Sequence, residues 1–191
     1  MKDLNQTKTQ ANLLAAFAAE CMARTKYDFY AEKAKKEGFE HIYRTFKTIA
    51  DNERAHAYIW YRLLKNAVGT TAQNLAEASD GEYTEWSQMY KGFAAEAKEE
   101  GFDEIAAKFE KTADVEQEHE QTYRKLAENL DNGKTFKRAE SVMWICLNCG
   151  HVHFGPSAPA VCPLCSHPQA FLPSNSRWDA KKRLESFESF F

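Results

Sequence analysis

Two Glu-x-x-His motifs in this chain each pair a carboxylate with an imidazole. The first joins Glu53 to His56, and the second joins Glu116 to His119, 63 residues further on. Residues three apart lie on one face of an α-helix, so each motif presents an oxygen ligand and a nitrogen ligand together. Two such motifs predict a site that binds two metal ions.

The motifs belong to a longer internal repeat. Residues 34–64 align with residues 97–127 at an offset of 63, and identical positions include Gly38, Phe46 and Asp51. A further carboxylate precedes each copy: Glu20 in the first and Glu82 in the second, at an offset of 62 rather than 63. This slip of one residue weakens strict symmetry without removing the repeat.

Each repeat is predicted to form a helical hairpin, with a turn at Gly38 or Gly101. The carboxylates lie 18 residues before and 15 after the first glycine, and 19 before and 15 after the second. At about 1.5 Å rise per residue, these mismatches amount to roughly one helical turn. The four glutamates can therefore meet at one level.

The pattern of apolar residues predicts a mainly α protein. Helices are expected over residues 4–36, 42–64, 81–100 and 103–129, which form two antiparallel pairs and hence a four-helix bundle. Residues 68–80 are interpreted as the connection between the hairpins, and this connection must cross the bundle if both hairpins are to face each other.

One glutamate from each of two helices, with Glu-x-x-His from each of the other two, is the ligand set of di-iron or di-manganese bundles. Hard carboxylates with imidazoles favour iron or manganese over a structural zinc. Glu53 and Glu116 are the predicted bridging ligands, Glu20 and Glu82 the terminal ones, and Glu85 an additional candidate on the same face.

Two tyrosines lie about two helical turns after the upstream glutamates. Tyr27 follows Glu20, and Tyr90 follows Glu82. Each could hydrogen-bond the ligands from a second layer, or could serve as a core aromatic residue.

Four of the five cysteines form two C-x-x-C pairs near the C-terminus. Two such pairs separated by a loop predict a tetrahedral tetrathiolate site, and the spacing leaves zinc and iron open. Trp144, Phe154 and Phe171 could cover the centre, which favours iron. The predicted ligands are Cys146, Cys149, Cys162 and Cys165.

Length and charge limit the remaining possibilities. The 191 residues allow one sizeable core and an appendage: a bundle over 1–134, a metal domain over 142–173, and a tail over 174–191 that could be helical. The net charge of −3, with both signs interspersed, argues against nucleic acid and anionic membranes as partners. A polar N-terminus without a long apolar run predicts a cytoplasmic protein.

The order of motifs over residues 4–171 resembles the rubrerythrin family. The segments that carry the resemblance are AAFAAECMAR, DNERAH, GEYTEWSQMY, DVEQEH, MWICLNCGHVH and CPLCSHPQAF. Ala19 and Cys21 depart from the family, which usually has glycine and serine there, and the tail is also unlike the usual ending. The resemblance implies a ferritin-like bundle followed by a rubredoxin-like domain with short β-strands.

The resemblance also implies iron at both sites, although zinc or manganese could substitute. One iron ion is expected to exchange His56 for Glu85 when its oxidation state changes. The single iron of the C-terminal domain would be held by the four cysteines. The di-iron ligands implied are Glu20, Glu53, His56, Glu82, Glu85, Glu116 and His119.

The expected activity is reduction of hydrogen peroxide to water at the di-iron site, in defence against oxidative stress. Electrons would arrive through the tetrathiolate iron from a rubredoxin or an NAD(P)H-dependent rubredoxin reductase, which gives an NADH peroxidase. A head-to-tail homodimer would place one chain's C-terminal domain beside the other chain's di-iron site. The alternatives are a ferritin-like protein that oxidises or stores iron, and a zinc-ribbon interaction protein.

Overall fold

The computed structural model describes residues 3–64 and 68–174. The chain divides into two compact units, residues 1–70 and residues 71–191. Within the described ranges, no helix combines the length and the apolar character needed to cross a membrane.

The first unit is a hairpin of α1 (Lys8–Lys36) and α2 (Glu40–Leu63). The Thr7 side chain caps α1 by accepting a hydrogen bond from the Gln10 backbone N–H. Gly38 provides the turn with a φ of 83°, a left-handed conformation that glycine adopts without steric cost. The turn is therefore where the sequence predicts it.

Small residues and an ionic cluster join α1 to α2. Ala31 and Ala50 are fully buried, so the two backbones can approach closely. Asp28 pairs with Lys47 of α2 at 2.6 Å and with Arg24 at 2.9 Å, and Arg24 also reaches an aspartate of α2. These contacts fix the position of α1 relative to α2 along the helix axes. They thereby set the relative axial positions of the candidate metal ligands on the two helices.

The helices of the second unit are α3 (Thr71–Thr84), a π-helical segment (Glu85–Met89), α4 (Tyr90–Glu99) and α5 (Asp103–Asp131). The predicted start of the third helix near residue 81 is wrong, because α3 begins ten residues earlier. Residues 71–80 are rich in alanine and contain no proline or glycine, so the helix extends upstream through them. Of the predicted connection over residues 68–80, residues 71–80 are therefore helical.

The π-helical segment explains the slip in the repeat. Glu20 and Glu82 are related by 62 residues, whereas Tyr27 and Tyr90 are related by 63, so the second copy contains one extra residue between them. A π segment accommodates one additional residue in an otherwise α-helical rod. It occupies residues 85–89, between the two related pairs.

The C-terminal part of the second unit is built on an antiparallel hairpin of β1 (Lys137–Ile145) and β2 (Val152–Ser157). β1 begins five residues before residue 142, where the sequence analysis starts the metal domain. The core contains Trp144 and Leu172, both fully buried, and the Trp144 indole N–H donates to the Gly155 carbonyl at 2.9 Å. The predicted helical tail lies outside the described residues, except for Ser174, which bridges to Trp144.

Only one of the three aromatic residues expected around the tetrathiolate site is buried. Trp144 lies in one core with Cys146 and Cys162, whereas Phe154 is 71% exposed and Phe171 is 38% exposed, so cover of the centre by these two stays a prediction. Phe154 pairs with Met143, the neighbour of Trp144, and the alternation of side chains along a strand therefore puts Phe154 on the face opposite Trp144. Phe171 instead packs its ring against His167, with centroids 4.6 Å apart.

Candidate metal centres

The first hairpin brings three predicted ligands together. One ligand atom each from Glu20, Glu53 and His56 lies within 4.8 Å of the others. The Nδ1 atom of His56 is 2.9 Å from Glu53 Oε2 and 3.9 Å from Glu20 Oε1. The carboxylates are 25% and 17% exposed and the histidine 50%, so this triad is open on the histidine side.

The second unit contains a matching triad. Ligand atoms of Glu82, Glu116 and His119 also lie within 4.8 Å of one another. The Nδ1 atom of His119 is 2.7 Å from Glu116 Oε2 and 3.7 Å from Glu82 Oε2, and its side chain is 48% exposed. Burial, followed by the charge of Glu116, raises the pKa of Glu82. A cation bound at this triad would offset the repulsion between the Glu82 and Glu116 carboxylates.

Glu85 stands apart from the three-residue cluster, at the first position of the π-helical segment. The charge of Glu85 nevertheless acts on the same region as the charges of the Glu82 and Glu116 carboxylates. The pKa of Tyr90 is raised by burial and then by the charges of Glu85, Glu116 and Glu82. Tyr90 therefore lies within electrostatic range of all three carboxylates.

The two tyrosines occupy equivalent places in their hairpins. The Tyr27 ring lies 6.2 Å from Phe46, and the Tyr90 ring lies 6.1 Å from Phe109. Trp60 is a neighbour that the sequence analysis missed: its indole N–H donates to Glu20 Oε1 at 3.5 Å. Its spacing of seven residues from Glu53 was the available signal, since residues two turns apart share a helix face.

The four cysteines converge as the C-x-x-C spacing predicts. The Sγ atoms of Cys146 and Cys165 are 3.6 Å apart, and those of Cys149 and Cys162 are 3.7 Å apart. Tetrahedral coordination with metal–sulfur bonds of about 2.3 Å separates sulfurs by about 3.8 Å. The cluster therefore fits one tetrathiolate-bound ion, and among the described residues no histidine belongs to it.

Matching backbone turns support the two cysteine pairs. The Cys146 N–H donates to the His151 carbonyl and the Cys162 N–H to the His167 carbonyl, both at 2.8 Å. The residue after each second cysteine is left-handed: Gly150 has a φ of 74° and Ser166 a φ of 60°. This left-handed conformation has no steric cost for Gly150 but strains the backbone at Ser166.

The thiols differ in acidity. The His151 N–H acts to lower the pKa of Cys149, but burial and the neighbouring cysteine sulfurs outweigh it and raise that pKa to about 12. The His167 N–H lowers the pKa of Cys165 to about 6, against the effect of burial. One thiol is thus ionised near neutral pH, which gives an incoming cation an anionic ligand.

The donor atoms at all three clusters fit iron. Carboxylate oxygens and imidazole nitrogens suit ferrous and ferric ions, and four thiolates suit a single iron. The comparisons with known proteins agree with this chemistry. Residues 11–127 match the family model of rubrerythrin, and residues 144–172 match that of the rubrerythrin rubredoxin-like domain.

The chain belongs to the rubrerythrin family. Its fold is accordingly a ferritin-like helical domain followed by a rubredoxin-like domain, which confirms the predicted fold class. Its cofactors are a di-iron centre and one iron bound by four cysteines. The assignment of individual ligands to the di-iron centre, including Glu85, stays a prediction.

Relatives are similar along nearly their whole length. The rubrerythrin of Porphyromonas gingivalis is 42% identical over 183 residues, which cover 90% of this chain and 92% of the relative. The rubrerythrin of Nitratidesulfovibrio vulgaris is 38% identical over 182 residues, with 89% and 95% covered. A solved structure of fully reduced, all-ferrous nigerythrin matches 91% of this chain and 91% of its own chain at 27% identity, with a TM-score of 0.35.

Proposed function

We propose that this protein is a peroxidase that reduces hydrogen peroxide to water in defence against oxidative stress. The observation that carries the proposal is the presence, in one chain, of two matched Glu–Glu–His triads and a tetrathiolate cluster. Bound iron would supply two electrons at the carboxylate-rich centre and carry single electrons at the cysteines. Iron oxidation or storage, the ferritin-like alternative, would use the triads but would leave the cysteine cluster without a role.

The residues around the triads have roles that follow from their contacts. Glu53 and Glu116 each hold the imidazole three residues later by a short contact, so that the imidazole and carboxylate present ligand atoms on one side. Tyr90 keeps its proton because its pKa is raised, so its phenol can donate a hydrogen bond to a nearby carboxylate. Reduction of one peroxide to two waters consumes two protons and two electrons.

The electrons come from an external donor. A rubredoxin, or an NAD(P)H-dependent rubredoxin reductase, would deliver them to the tetrathiolate iron, and the protein would act as an NADH peroxidase in the cytoplasm. In a head-to-tail homodimer, the rubredoxin-like domain of one chain would serve the di-iron centre of the other. Single electrons move efficiently only between nearby sites, and this assembly would shorten the path between the two centres.

Removal of one triad carboxylate tests the activity. Glu53→Ala should abolish peroxide turnover and lower the iron content from about three per chain, while the red ferric-tetrathiolate chromophore persists because Cys ligands hold that iron. Glu104→Ala is the matched control, since Glu104 is an exposed residue at the start of α5. Full peroxide turnover in Glu53→Ala would contradict the proposal.

Anaerobic stopped-flow separates the peroxidase from the iron-oxidising alternative. The reduced protein is mixed with peroxide in one experiment and with oxygen in the other. A peroxidase oxidises faster with peroxide and turns over with an added rubredoxin and reductase. A preference for oxygen, together with uptake of further ferrous iron, would favour iron oxidation and storage.

A further inference from the structure

A cleft runs along α5 within the second unit, and we refer to it as the α5 cleft. Its volume is about 610 Å³, and its walls are α5, the start of α3 and the rubredoxin-like domain. Seven of the lining residues lie on α5 between Glu118 and Leu130, at alternating spacings of three and one. Residues with that spacing form one stripe of a helix, which here is about 18 Å long over twelve residue steps. The cleft is therefore a groove along a helix, and a rod-shaped occupant would fit it.

Apolar side chains are uncovered in the α5 cleft, as far as the described residues extend. Leu126 and Leu130 are 49% and 37% exposed. Leu75 of α3, Phe136 and Pro173 add apolar surface on the other walls. Removal of apolar surface from water is favourable in proportion to the area buried. An occupant with an apolar face of its own would therefore be held in the cleft by packing alone.

The last described residues carry the chain to one end of the α5 cleft. The Ile145 N–H donates to the Pro173 carbonyl at 3.3 Å, and Ser174 pairs with Trp144, so this segment runs antiparallel to β1. Arg138, near the start of β1, donates a hydrogen bond to the Ser174 hydroxyl. Pro173, Ser174 and Arg138 all line the cleft. The chain thus leaves the rubredoxin-like domain beside the C-terminal end of α5.

The sequence after Ser174 contains a matching apolar stripe. Residues 175–191 follow, and they lie outside the described ranges. Ala180, Leu184, Phe187 and Phe191 are spaced by four, three and four residues, which is the spacing of one helix face. As a helix, the eleven steps from the first to the last would span about 17 Å, close to the length of the cleft. The family match of the rubredoxin-like domain ends at residue 172, before this segment begins.

We propose that residues 175–191 occupy the α5 cleft of their own chain as a helix antiparallel to α5. Entry beside the C-terminal end of α5 determines this direction. Ala180 then lies near Leu130, and Leu184 lies near Leu126, so that apolar surface packs on apolar surface. The docked segment attaches the rubredoxin-like domain to α5 a second time, in addition to the connection over residues 132–136.

The short tether favours docking within one chain over docking on a second copy. Six residue steps separate Ser174, which lines the cleft, from Ala180, the first residue of the apolar stripe. A segment held by a short flexible tether is present at an effective concentration near millimolar, against micromolar for a second chain. The intrachain arrangement is therefore favoured by roughly a thousandfold at micromolar protein.

Limited proteolysis of the full-length, iron-loaded protein tests the docking. Residues 181–183 contain three trypsin sites inside the proposed helix, and trypsin can cleave them only when the segment leaves the cleft. Leu184→Asp combined with Phe187→Asp should raise the rate of this cleavage at least about tenfold, because it removes the two largest apolar contacts proposed for the middle of the segment. Ser186→Asp combined with Ser189→Asp is the control, since it adds the same charge to the other helix face. The control should be cleaved at the wild-type rate, and mass spectrometry of the intact chain measures each rate.

Two results of the proteolysis would overturn the proposal. One is equal cleavage of the wild type and the apolar-face variant, and the other is an equal acceleration by both pairs of substitutions. The tetrathiolate chromophore and the helical circular dichroism report folding of every variant. If the aspartate variant fails to fold, Leu184→Ala combined with Phe187→Ala is used, and unchanged cleavage of that folded variant would reject docking equally.

A disulfide bond locates the segment and identifies the chain on which it docks. Ala180→Cys and Leu130→Cys are combined with Cys21→Ser, while bound iron retains the four cysteine ligands. Mild oxidation should join the two new thiols within one chain, which non-reducing electrophoresis shows as a monomer of altered mobility. With Ser186→Cys in place of Ala180→Cys, the thiol faces away from α5, beyond the Cα separation of about 7 Å that a disulfide tolerates, and the product should be lost.

The outcome of the cross-linking is decisive in each direction. A dimer-sized product would show that the segment occupies the cleft of a second copy, and absence of any product would show that it lies elsewhere; either result would overturn the proposal. Both experiments read out the position of residues 175–191 without measuring peroxide turnover. Their result is therefore independent of the proposed function.

Discussion

Replacement of Ser166 by glycine should stabilise the rubredoxin-like domain, because Ser166 occupies the left-handed region with a φ of 60°. A residue with a side chain is disfavoured there by about 1 kcal/mol, whereas glycine is not. Gly150 holds the equivalent place after the other cysteine pair, with a φ of 74°. Ser166→Gly should therefore raise the free energy of unfolding by about 1 kcal/mol.

Gly150→Ala is the matched change in the other turn. A Cβ added at Gly150 would meet no atom within 4 Å, so the substitution should act through backbone strain and not through a steric clash. It should lower the free energy of unfolding by about 1 kcal/mol.

Denaturant titration of the iron-loaded protein, followed through the tetrathiolate chromophore, measures both variants. The reasoning would be refuted if Ser166→Gly left the free energy of unfolding unchanged or lowered it.

Two further predictions concern ionisable side chains. Metal-free protein should show thiolate absorbance that grows as pH rises through about 6, since the pKa of Cys165 is lowered to about 6, and Cys165→Ser should remove this step. The pKa of Asp28 is lowered chiefly by Lys47, so its carboxylate stabilises the first hairpin above the ordinary pKa and loses this contribution as pH falls through the lowered value. Asp28→Asn should therefore cost less than about 1 kcal/mol at pH 7 and nothing in strong acid, as thermal melts at both pH values would show.

The hairpin turns and the cysteine pairs could be predicted because local residues determine them. Gly38 marks a helix end that needs a left-handed residue, and the two C-x-x-C pairs set their own turns. The start of α3 was predicted wrongly because Asp80 and Gly81 resemble a helix boundary. Glycine within a long, well-packed helix costs only about 1 kcal/mol, which the surrounding alanine-rich turns and packing on α5 can offset.

The aromatic residues of the rubredoxin-like domain show a different limit. Composition identifies Trp144 and Phe154 as candidates for the core, but a one-residue choice of strand register decides which of them points inward. The observed register pairs Phe154 with Met143, so Phe154 lies on the face opposite the buried Trp144 and is exposed. Such long-range pairing is not encoded in the local pattern.

The slip from 62 to 63 in the repeat was visible in the sequence, and its consequence is chemical rather than merely geometric. At an offset of 62, the residue equivalent to Glu85 is Ala23, so only the second copy carries a carboxylate three residues after its upstream glutamate. The π-helical segment that begins at Glu85 absorbs the extra residue and returns Tyr90 to the position equivalent to Tyr27. The duplicated hairpins thus provide two similar triads, but only the second hairpin adds a further candidate carboxylate ligand, Glu85. An exchange of His56 for Glu85, as the family resemblance implies, would join the first hairpin's histidine to the second hairpin's added carboxylate.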